Sequence, residues 1–362
     1  MRIALVGGIY GKDESFRRNL QVTPETTLEH GLMARGHNVA TFSHYAAIDA
    51  KCFDVVHVHH LSYGATRMAT DTSDSAFVYT SHDGASMAGS STRLYRQIAT
   101  RFVMSRADAV VALSQAEVDF QRRSYPLTGA IHAVIPTGID TTNYAYARNN
   151  TAGRGRPWQL LYTGQLIALK NIDVLLHALP LIKQPVELEL VYHNSALEIA
   201  LRKLTAELAL GERVRFLGPK SAQELARIYQ RADVFVLPSG ADALPSVVTE
   251  AMICGTPVVA TDVGGVREQL SGYGVCVRPG RTDELAAAIT YMLDHYGRFS
   301  ARSEAASSYA REQFSIESMV HRHLELYTRL LDQKDPRRRH TVFRAPLNAV
   351  LKMGVDLICA TK

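Results

Sequence analysis

Residues 233–268 read DVFVLPSGADALPSVVTEAMICGTPVVATDVGGVRE. The run DVFVLPS is apolar and β-branched and ends in a Pro-Ser-Gly turn, the signature of a buried strand entering a loop. A helix is expected from about residue 245, and PVVATD reads as a second buried strand. Strand, helix and strand within some 30 residues form a βαβ unit, whose two strands must be parallel. The same alternation runs outward in both directions. Towards the N-terminus come RVRFLG, a helix at 195–209, ELELVYH, a helix at 171–182 and QLLYTGQ, and the helix at 221–231 opens on Ser221-Ala-Gln-Glu224, a capping box.

The first part of the chain repeats the theme with RIALV before Gly7-Gly8, a helix at about 24–35, NVATF, FDVVHVHH, SAFVYTSHD, a helix around 93–105 and ADAVVALS. Between the two series, residues 145–158 turn polar and rich in Gly and Asn, which marks a linker. The expected architecture is α/β, two doubly wound parallel-sheet domains in tandem. Their expected limits are 1–150 and 151–315, followed by a helix over 316–335 that crosses back to the first domain and a tail over 336–362. A length of 362 residues suits two domains of ordinary size.

In such sheets ligands bind beyond the carboxyl ends of the strands, so the informative residues are those that follow strands, around a cleft between the two sheets. The 238–250 stretch is the richest. Pro245 is expected in the first helical turn, where a missing N–H costs nothing. The first-turn amides of Ser246, Val247 and Val248 then stay free and, with the helix dipole, form a site for an anion such as a diphosphate. Asp242 and Glu250 flank that position, and carboxylates are suited to gripping sugar hydroxyls. In Leu161-Tyr-Thr-Gly164-Gln165-Leu-Ile-Ala-Leu-Lys170 a strand ends at a glycine, and a lysine arrives six residues later at the expected start of the next helix. Its charge could meet the same diphosphate. His82 and Asp83 follow the strand SAFVYTS directly.

Composition narrows the function classes. Apolar residues make up 46% and charged residues 21%, values that exclude a disordered or low-complexity chain. The net charge of +5 is concentrated in the last 34 residues, which hold eight basic and three acidic side chains, while the first 328 are balanced. A neutral body argues against a nucleic-acid-binding surface. No apolar run reaches the ~20 residues of a bilayer span, and a cytoplasmic location is expected. Within the tail, Leu347, Val350, Leu351, Val355 and Ile358 recur at helical spacing behind Arg337-Arg338-Arg339. That pattern suits an anionic membrane surface on the cytoplasmic face, and equally a helix packed on the first domain. The cysteines at 52, 254, 276 and 359 lack metal or disulfide spacing and read as packing residues. His57, His59 and His60 read as structural, since no further ligand falls at metal spacing.

Taken in order, Arg35-Gly-His-Asn-Val, Asp54-Val-Val-His-Val-His-His60, His82-Asp83, Ile135-Pro-Thr-Gly-Ile-Asp140, Gly164 to Lys170 and Asp242 to Glu250 resemble the retaining GT-B glycosyltransferases of family 4. The resemblance covers nearly the whole chain. It implies a hexosyltransferase that takes a nucleotide-sugar donor, UDP- or GDP-linked, and a glycan, glycolipid or small hydroxyl acceptor, typically in bacterial surface polysaccharide or glycolipid synthesis. It implies further that Glu250 holds the ribose and Asp242 the donor-sugar hydroxyls, while Lys170 holds the diphosphate with Gln165. Gly8, Gly164, Leu244, Ser246, Val247 and Val248 would line the donor, and His82 would stand beside its sugar. Arg17, Arg18 and Asp83 are the acceptor candidates. No cofactor and no metal is expected, since the chain has no Asp-x-Asp motif. Three departures stand out: Asp242 where the family most often has Glu, Gln165 where many members have Arg, and no Gly-Gly at the first helix, VTPETTLEH. A sugar-nucleotide-binding protein without transfer activity and a sugar-nucleotide epimerase on the same architecture are the alternative readings.

Overall fold

The computed structural model describes residues 1–12, 23–44, 46, 48–71, 75–81, 94–125, 130–147 and 155–333. They group into two compact units, Met1–Gly138 with the segment from Ile316 onward, and Ile139–Ser315. His82, Asp83, Arg17, Arg18, Cys359 and the tail lie outside the described residues.

The first unit contains β1 (Arg2–Val6), α1 (Pro24–Met33), β2 (Asn38–Phe42), β3 (Val55–His59), α2 (Tyr63–Thr70), β4 (Ala76–Thr80), α3 (Leu94–Arg106), β5 (Ala109–Ala112), α4 (Gln115–Ser124) and β6 (Ile131–Val134). The strands form one parallel sheet in the order β2-β1-β3-β4-β5-β6. Both of its faces are covered, as parallel sheets require. In β1, Ala4 and Val6 join a core with Ala65, Met68 and Val103, whereas Ile3 and Leu5 join a second core with Leu28, Leu32, Val320 and Tyr327. The period of two along a strand thus feeds two layers.

The second unit contains β7 (Trp158–Gly164), α5 (Ile172–Ala178), β8 (Val186–Tyr192), α6 (Glu198–Glu207), β9 (Val214–Gly218), α7 (Ala222–Arg231), β10 (Val234–Leu237), α8 (Ser246–Cys254), β11 (Val258–Thr261), α9 (Val266–Leu270), β12 (Val275–Val277), α10 (Thr282–Asp294), α11 (Tyr296–Ala301) and α12 (Ser303–Phe314). Its parallel sheet runs β12-β11-β10-β7-β8-β9. The capping box at Ser221 forms as the spacing predicts, with the Ser221 amide donating to Glu224 at 2.9 Å. Cys254 is buried in this core, but Cys52 is exposed in the first unit, so packing does not account for it.

The boundary between the units falls earlier than the expected limit. The residues just before the polar stretch belong to the second unit. Ile139 pairs with Ser315 in a parallel bridge, Gln230 donates to the Ala145 carbonyl at 2.9 Å, and Arg311 donates to the carbonyls of Thr141 and Tyr144. The final helix, α13 (Ile316–Asp332), is built into the first unit. Its Tyr327 hydroxyl and Thr80 Oγ1 each lie 2.7 Å from a ring nitrogen of His57, and His57 stacks on His59. Both histidines are therefore core residues, and among the described residues no group of three His, Cys, Asp or Glu is placed to hold a metal.

The α1–α13 contact depends on a missing side chain. A Cβ on Gly31 would fall 2.4 Å from Val320 Cγ2. Gly→Ala within a helix gains about 1 kcal/mol of propensity, but overpacking costs about 1–3 kcal/mol, and the second effect should win. Gly31→Ala is expected to lower the thermal midpoint, with Val320→Ala relieving part of the loss in the double variant. An unchanged or raised midpoint for Gly31→Ala would show that the two helices do not meet this closely.

Candidate active site

Strand order in the second sheet reverses beside β7: β8 and β9 lie on one side and β10 to β12 on the other. Such a switch point opens a crevice beyond the carboxyl ends of the two strands, here β7 and β10. Gly164 ends β7, and the short helical turn Ala168–Lys170 follows it. Lys170 therefore precedes α5 instead of opening it, separated from the helix by Asn171 in the left-handed conformation. The loop after β10 is drawn against this turn, since the Gly240 amide donates to the Leu169 carbonyl at 2.8 Å.

That contact sets Asp242 against Lys170. The ammonium donates to both carboxylate oxygens, at 2.7 and 2.8 Å, and each side chain keeps only 16% of its surface exposed. Two charges so far out of water are tolerated because they are paired. The structure brings together two residues to which the sequence assigned separate tasks. The Tyr162 phenol is pushed up by burial and then by the charge of Asp242.

α8 begins at Ser246, with Pro245 standing one position ahead as its N-cap in extended conformation, not within the first turn. No side chain caps the helix. The Val248 amide turns onto the Pro245 carbonyl at 3.2 Å, so of the three amides expected to be free, those of Ser246 and Val247 are the open pair. Glu250 lies one turn in and remains partly accessible. Tyr229 Oη donates to its carboxylate at 2.9 Å, and Thr163 Oγ1 lies 2.6 Å from the same phenol. Tyr144, on the segment docked before β7, also hydrogen-bonds Glu250. Burial nevertheless dominates and raises the Glu250 carboxyl to about 7.

A neighbouring segment braces both acids. Gly264 has φ +52°, and a Cβ there would stand 2.0 Å from the Asp242 carbonyl oxygen; the next amide, of Gly265, donates to the Ala243 carbonyl at 2.7 Å. Gln269, fully buried, donates from Nε2 to the Pro245 carbonyl (2.9 Å) and to Thr249 Oγ1 (2.7 Å). Leu244, half-buried between these contacts, packs on the core. Gln165 lies at the edge with its amide 3.4 Å from His193 Nε2. In the first unit Gly8 opens the turn Gly8–Gly11 directly after β1.

Sequence reading missed Tyr144, Thr163, Tyr229, Gly264 and Gln269. The Gly264-Gly265 doublet after a strand is the one local signal among them. The tyrosines resemble ordinary core residues until a distant carboxylate is seen to need their hydroxyls.

Known proteins resemble this chain in sequence and in fold. Residues 147–313 match the family described as glycosyl transferases group 1, and residues 34–143 match glycosyltransferase family 4. The D-inositol 3-phosphate glycosyltransferase of Rhodococcus jostii is 31% identical over 299 residues, covering 76% of this chain and 66% of that protein. The protein of the same description from Xylanimonas cellulosilytica is 30% identical over 310 residues, covering 79% of this chain and 74% of that one. The chain thus spans about two thirds of the length of these curated relatives. Among solved structures, the sucrose-phosphate synthase of Thermosynechococcus elongatus superposes with a TM-score of 0.74 at 19% identity, over 92% of this chain and all of that one. HepE of Anabaena in complex with UDP gives 0.71 at 18% identity, over 91% of this chain and all of that one. The fold, two six-stranded parallel sheets with flanking helices, is that of the GT-B glycosyltransferases. In both its sequence and its architecture, this chain belongs to the group 1 glycosyltransferases of the family 4 type.

Proposed function

We propose that the chain transfers a hexosyl group from a nucleotide diphosphate sugar, UDP- or GDP-linked, to a hydroxyl acceptor, with retention at the anomeric carbon, in the synthesis of a surface polysaccharide or glycolipid. The observation that carries this reading is the Lys170–Asp242 pair, set after β7 and β10 at the switch point where the uncapped start of α8 and Glu250 also stand. A solved neighbour in complex with UDP-glucose supports the donor class, and relatives described as inositol 3-phosphate glycosyltransferases support a hydroxyl acceptor.

In this reading the donor diphosphate meets the Ser246 and Val247 amides and Lys170, while Asp242, already adjacent to Lys170, accepts from sugar hydroxyls. Negative charge grows on the diphosphate as the glycosidic bond breaks, so a fixed ammonium and a helix N-terminus stabilise the transition state more than the ground state. Glu250, as a carboxylate, accepts from the two ribose hydroxyls. Retention rests on the family likeness; front-face attack with the leaving diphosphate taking the acceptor proton needs no protein nucleophile. A second reading, a sugar-nucleotide-binding protein without transfer, is favoured by Asp242 neutralising Lys170 and by the uncharged Gln165.

Incubation with a panel of sugar nucleotides tests the two. A transferase releases nucleoside diphosphate from one of them, in EDTA as in buffer. A thermal shift without release from any sugar nucleotide is the result expected of the binder, and dependence of release on an added divalent metal would overturn the diphosphate site described. Lys170→Ala should lower turnover roughly hundredfold, with a smaller change in donor affinity; weakened affinity with turnover unchanged would mean that Lys170 holds the ground state and the transition state alike.

Glu250 makes the donor site pH-sensitive. Its folded pKa, about 7, is raised above its unfolded value. The protonated form is thus favoured in the folded state, and the stability it contributes is present below the unfolded pKa and lost as pH rises through about 7. Donor binding needs the opposite form. Affinity for the sugar nucleotide, whose own diphosphate diester does not titrate in this range, should rise with pH up to about 7 and then level. Glu250→Gln should bind more weakly, without that pH dependence. A flat wild-type profile would remove the ribose role from Glu250.

The basic tail lies outside the described residues, and among those described no helix is long and apolar enough to cross a membrane. Its proposed partner is an anionic lipid surface, which would suit a lipid-linked acceptor. Salt-sensitive sedimentation with anionic vesicles, lost on deletion of residues 336–362, is the expected result; no sedimentation of the full chain would exclude it.

A further inference from the structure

Helix α7 turns Ala226, Ile228 and Tyr229 into the core of the second unit, and Tyr229 has no exposed surface. Its ring stands edge-on to Tyr144 at 6.2 Å and tilted against Phe235 at 5.7 Å, contacts that a phenylalanine would make equally well. Its carbonyl accepts from Thr256 Oγ1 at 2.7 Å, which ties down the end of the helix without using the phenol. Packing therefore explains the ring and not the hydroxyl. That hydroxyl is buried beside a second one, of Thr163 near the end of β7, and two hydroxyls in a core cost free energy unless both are bonded.

The bonds have one consistent direction. Thr163 Oγ1 lies 2.6 Å from Tyr229 Oη, and among the described residues it has no other acceptor. Tyr229 Oη has a single hydrogen and two acceptors, a Glu250 carboxylate oxygen at 2.9 Å and the Val247 carbonyl at 3.3 Å. With Glu250 ionised, the shorter, charge-assisted bond takes that hydrogen, so the Thr163 hydroxyl donates to the phenol. A phenol that accepts such a bond is itself a stronger donor. Among the described residues, the titratable groups set around Glu250 are Tyr229 from α7, Tyr144 from the segment before β7 and Cys254 one turn further along α8. The Arg311 guanidinium, from α12, is engaged by the carbonyls of Thr141 and Tyr144. Burial holds both phenols and the thiol in their protonated forms, which leaves Glu250 as the group of this set that titrates near neutral pH.

A free glutamate side chain loses its rotamer freedom on meeting a ligand; here much of that freedom is lost on folding. A carboxylate has about four lone-pair sites, and the phenols of Tyr229 and Tyr144 take two of them. The rest suffice for two adjacent hydroxyls at once, provided that the carboxylate plane does not turn. We propose that Tyr229, directed by Thr163, is the positioning residue that fixes the Glu250 carboxylate for a vicinal diol, and thereby sets a preference for ribonucleotide over 2′-deoxyribonucleotide donors. The inference rests on the ribose role given to Glu250 above. Fixed acceptors discriminate against an analogue that lacks one hydroxyl, because an acceptor is then left buried and unpaired. A carboxylate free to turn recovers by reorienting to the hydroxyl that remains. The phenol supplies charge stabilisation as well as direction: as a donor to the ionised form it works against burial, the larger effect, and holds the Glu250 carboxyl lower than burial alone would.

The test measures binding of UDP-glucose and GDP-mannose, and of the 2′-deoxyribose form of each, across neutral pH. It also follows the Glu250 carboxyl carbon resonance in the nucleotide-free protein, assigned with a Glu250→Gln variant. Above neutral pH the wild type is expected to bind the ribose form of its donor roughly tenfold more tightly than the deoxyribose form. Tyr229→Phe should bring the two forms to within about threefold of each other, chiefly by weakening the ribose form, and should move the carboxyl titration to higher pH. Thr163→Val should change both readouts in the same direction by less, and Thr163→Ser should restore them. Lost packing alone would weaken both forms alike and leave the titration in place. The inference is overturned if Tyr229→Phe keeps the wild-type preference, weakens both forms equally or leaves the Glu250 titration unmoved. Should Tyr229→Phe fail to fold, the threonine variants decide: the same preference and titration in Thr163→Val as in Thr163→Ser would overturn it. A wild type that does not distinguish the two sugars removes the ribose role of Glu250 as well, whereas a preference that survives Tyr229→Phe removes the positioning role alone. If neither sugar nucleotide binds, the donor reading falls, and the carboxyl titration, which needs no nucleotide, still decides whether Tyr229 holds Glu250.

Discussion

A parallel sheet covered on both faces leaves a chain almost nowhere but the strand ends to put polar chemistry. Every residue of β3, β4, β5, β10 and β11 is buried, and alternate side chains of β1 enter opposite cores. The strands are short, so the turns that follow them begin at the edge of the core, where a side chain can be held by buried atoms and still meet a ligand. Right-handed crossovers then make each sheet reverse its order beside its own first strand, β1 in one unit and β7 in the other. The polar groups that packing does not explain collect at those two places.

In the second unit the consequence is a set of charges supported mainly by neutral groups. Asp242 has Lys170, but the loop carrying it is fixed by backbone: the Gly240 amide on one side and the close approach of Gly264 on the other. Among the described residues, Glu250 has no cation as a hydrogen-bond partner; two phenols and the Thr163 hydroxyl behind one of them hold it. Neutral donors can orient a carboxylate without fully compensating its lost hydration, which is why its pKa remains high. A cation in their place would lock the acid in its ionised form and compete with an incoming hydroxyl.

Much of this architecture was legible in the sequence because it is local. Buried strands announce themselves as β-branched runs, and Ser221-Ala-Gln-Glu224 names a helix start in four residues. Asp242, Lys170 and Glu250 could be singled out because they follow strand and turn signals, and the family likeness is supported by the matches at 34–143 and 147–313. Their partnerships were not legible, because they are made across the sheet. Lys170 and Asp242 are 72 positions apart, and Tyr229 reaches back 66 positions to Thr163. Nor could the polar text at 145–158 reveal that Tyr144, just ahead of it, docks on the second unit and completes the Glu250 site. Pro245 illustrates a smaller limit: its fixed φ suits the first helical position and the cap before it alike, and only the observed ψ of 120° decides for the cap.

The histidines of β3 show how one short segment can divide its tasks. His57 and His59 sit on one face, stacked and buried, with His57 bonded at both ring nitrogens to Tyr327 and Thr80. Their neighbour His60 has left the strand: its backbone turns left-handed and its ring swings to the carboxylate of Glu25. A single residue therefore separates a histidine that ties the final helix to the sheet from one that faces solvent beside a buried acid. Residue type does not distinguish the two, and neither does their spacing. What distinguishes them is the end of the ladder: once the backbone of residue 60 no longer follows the strand, its side chain is released from the core, and any function it has must be sought at the crevice it faces.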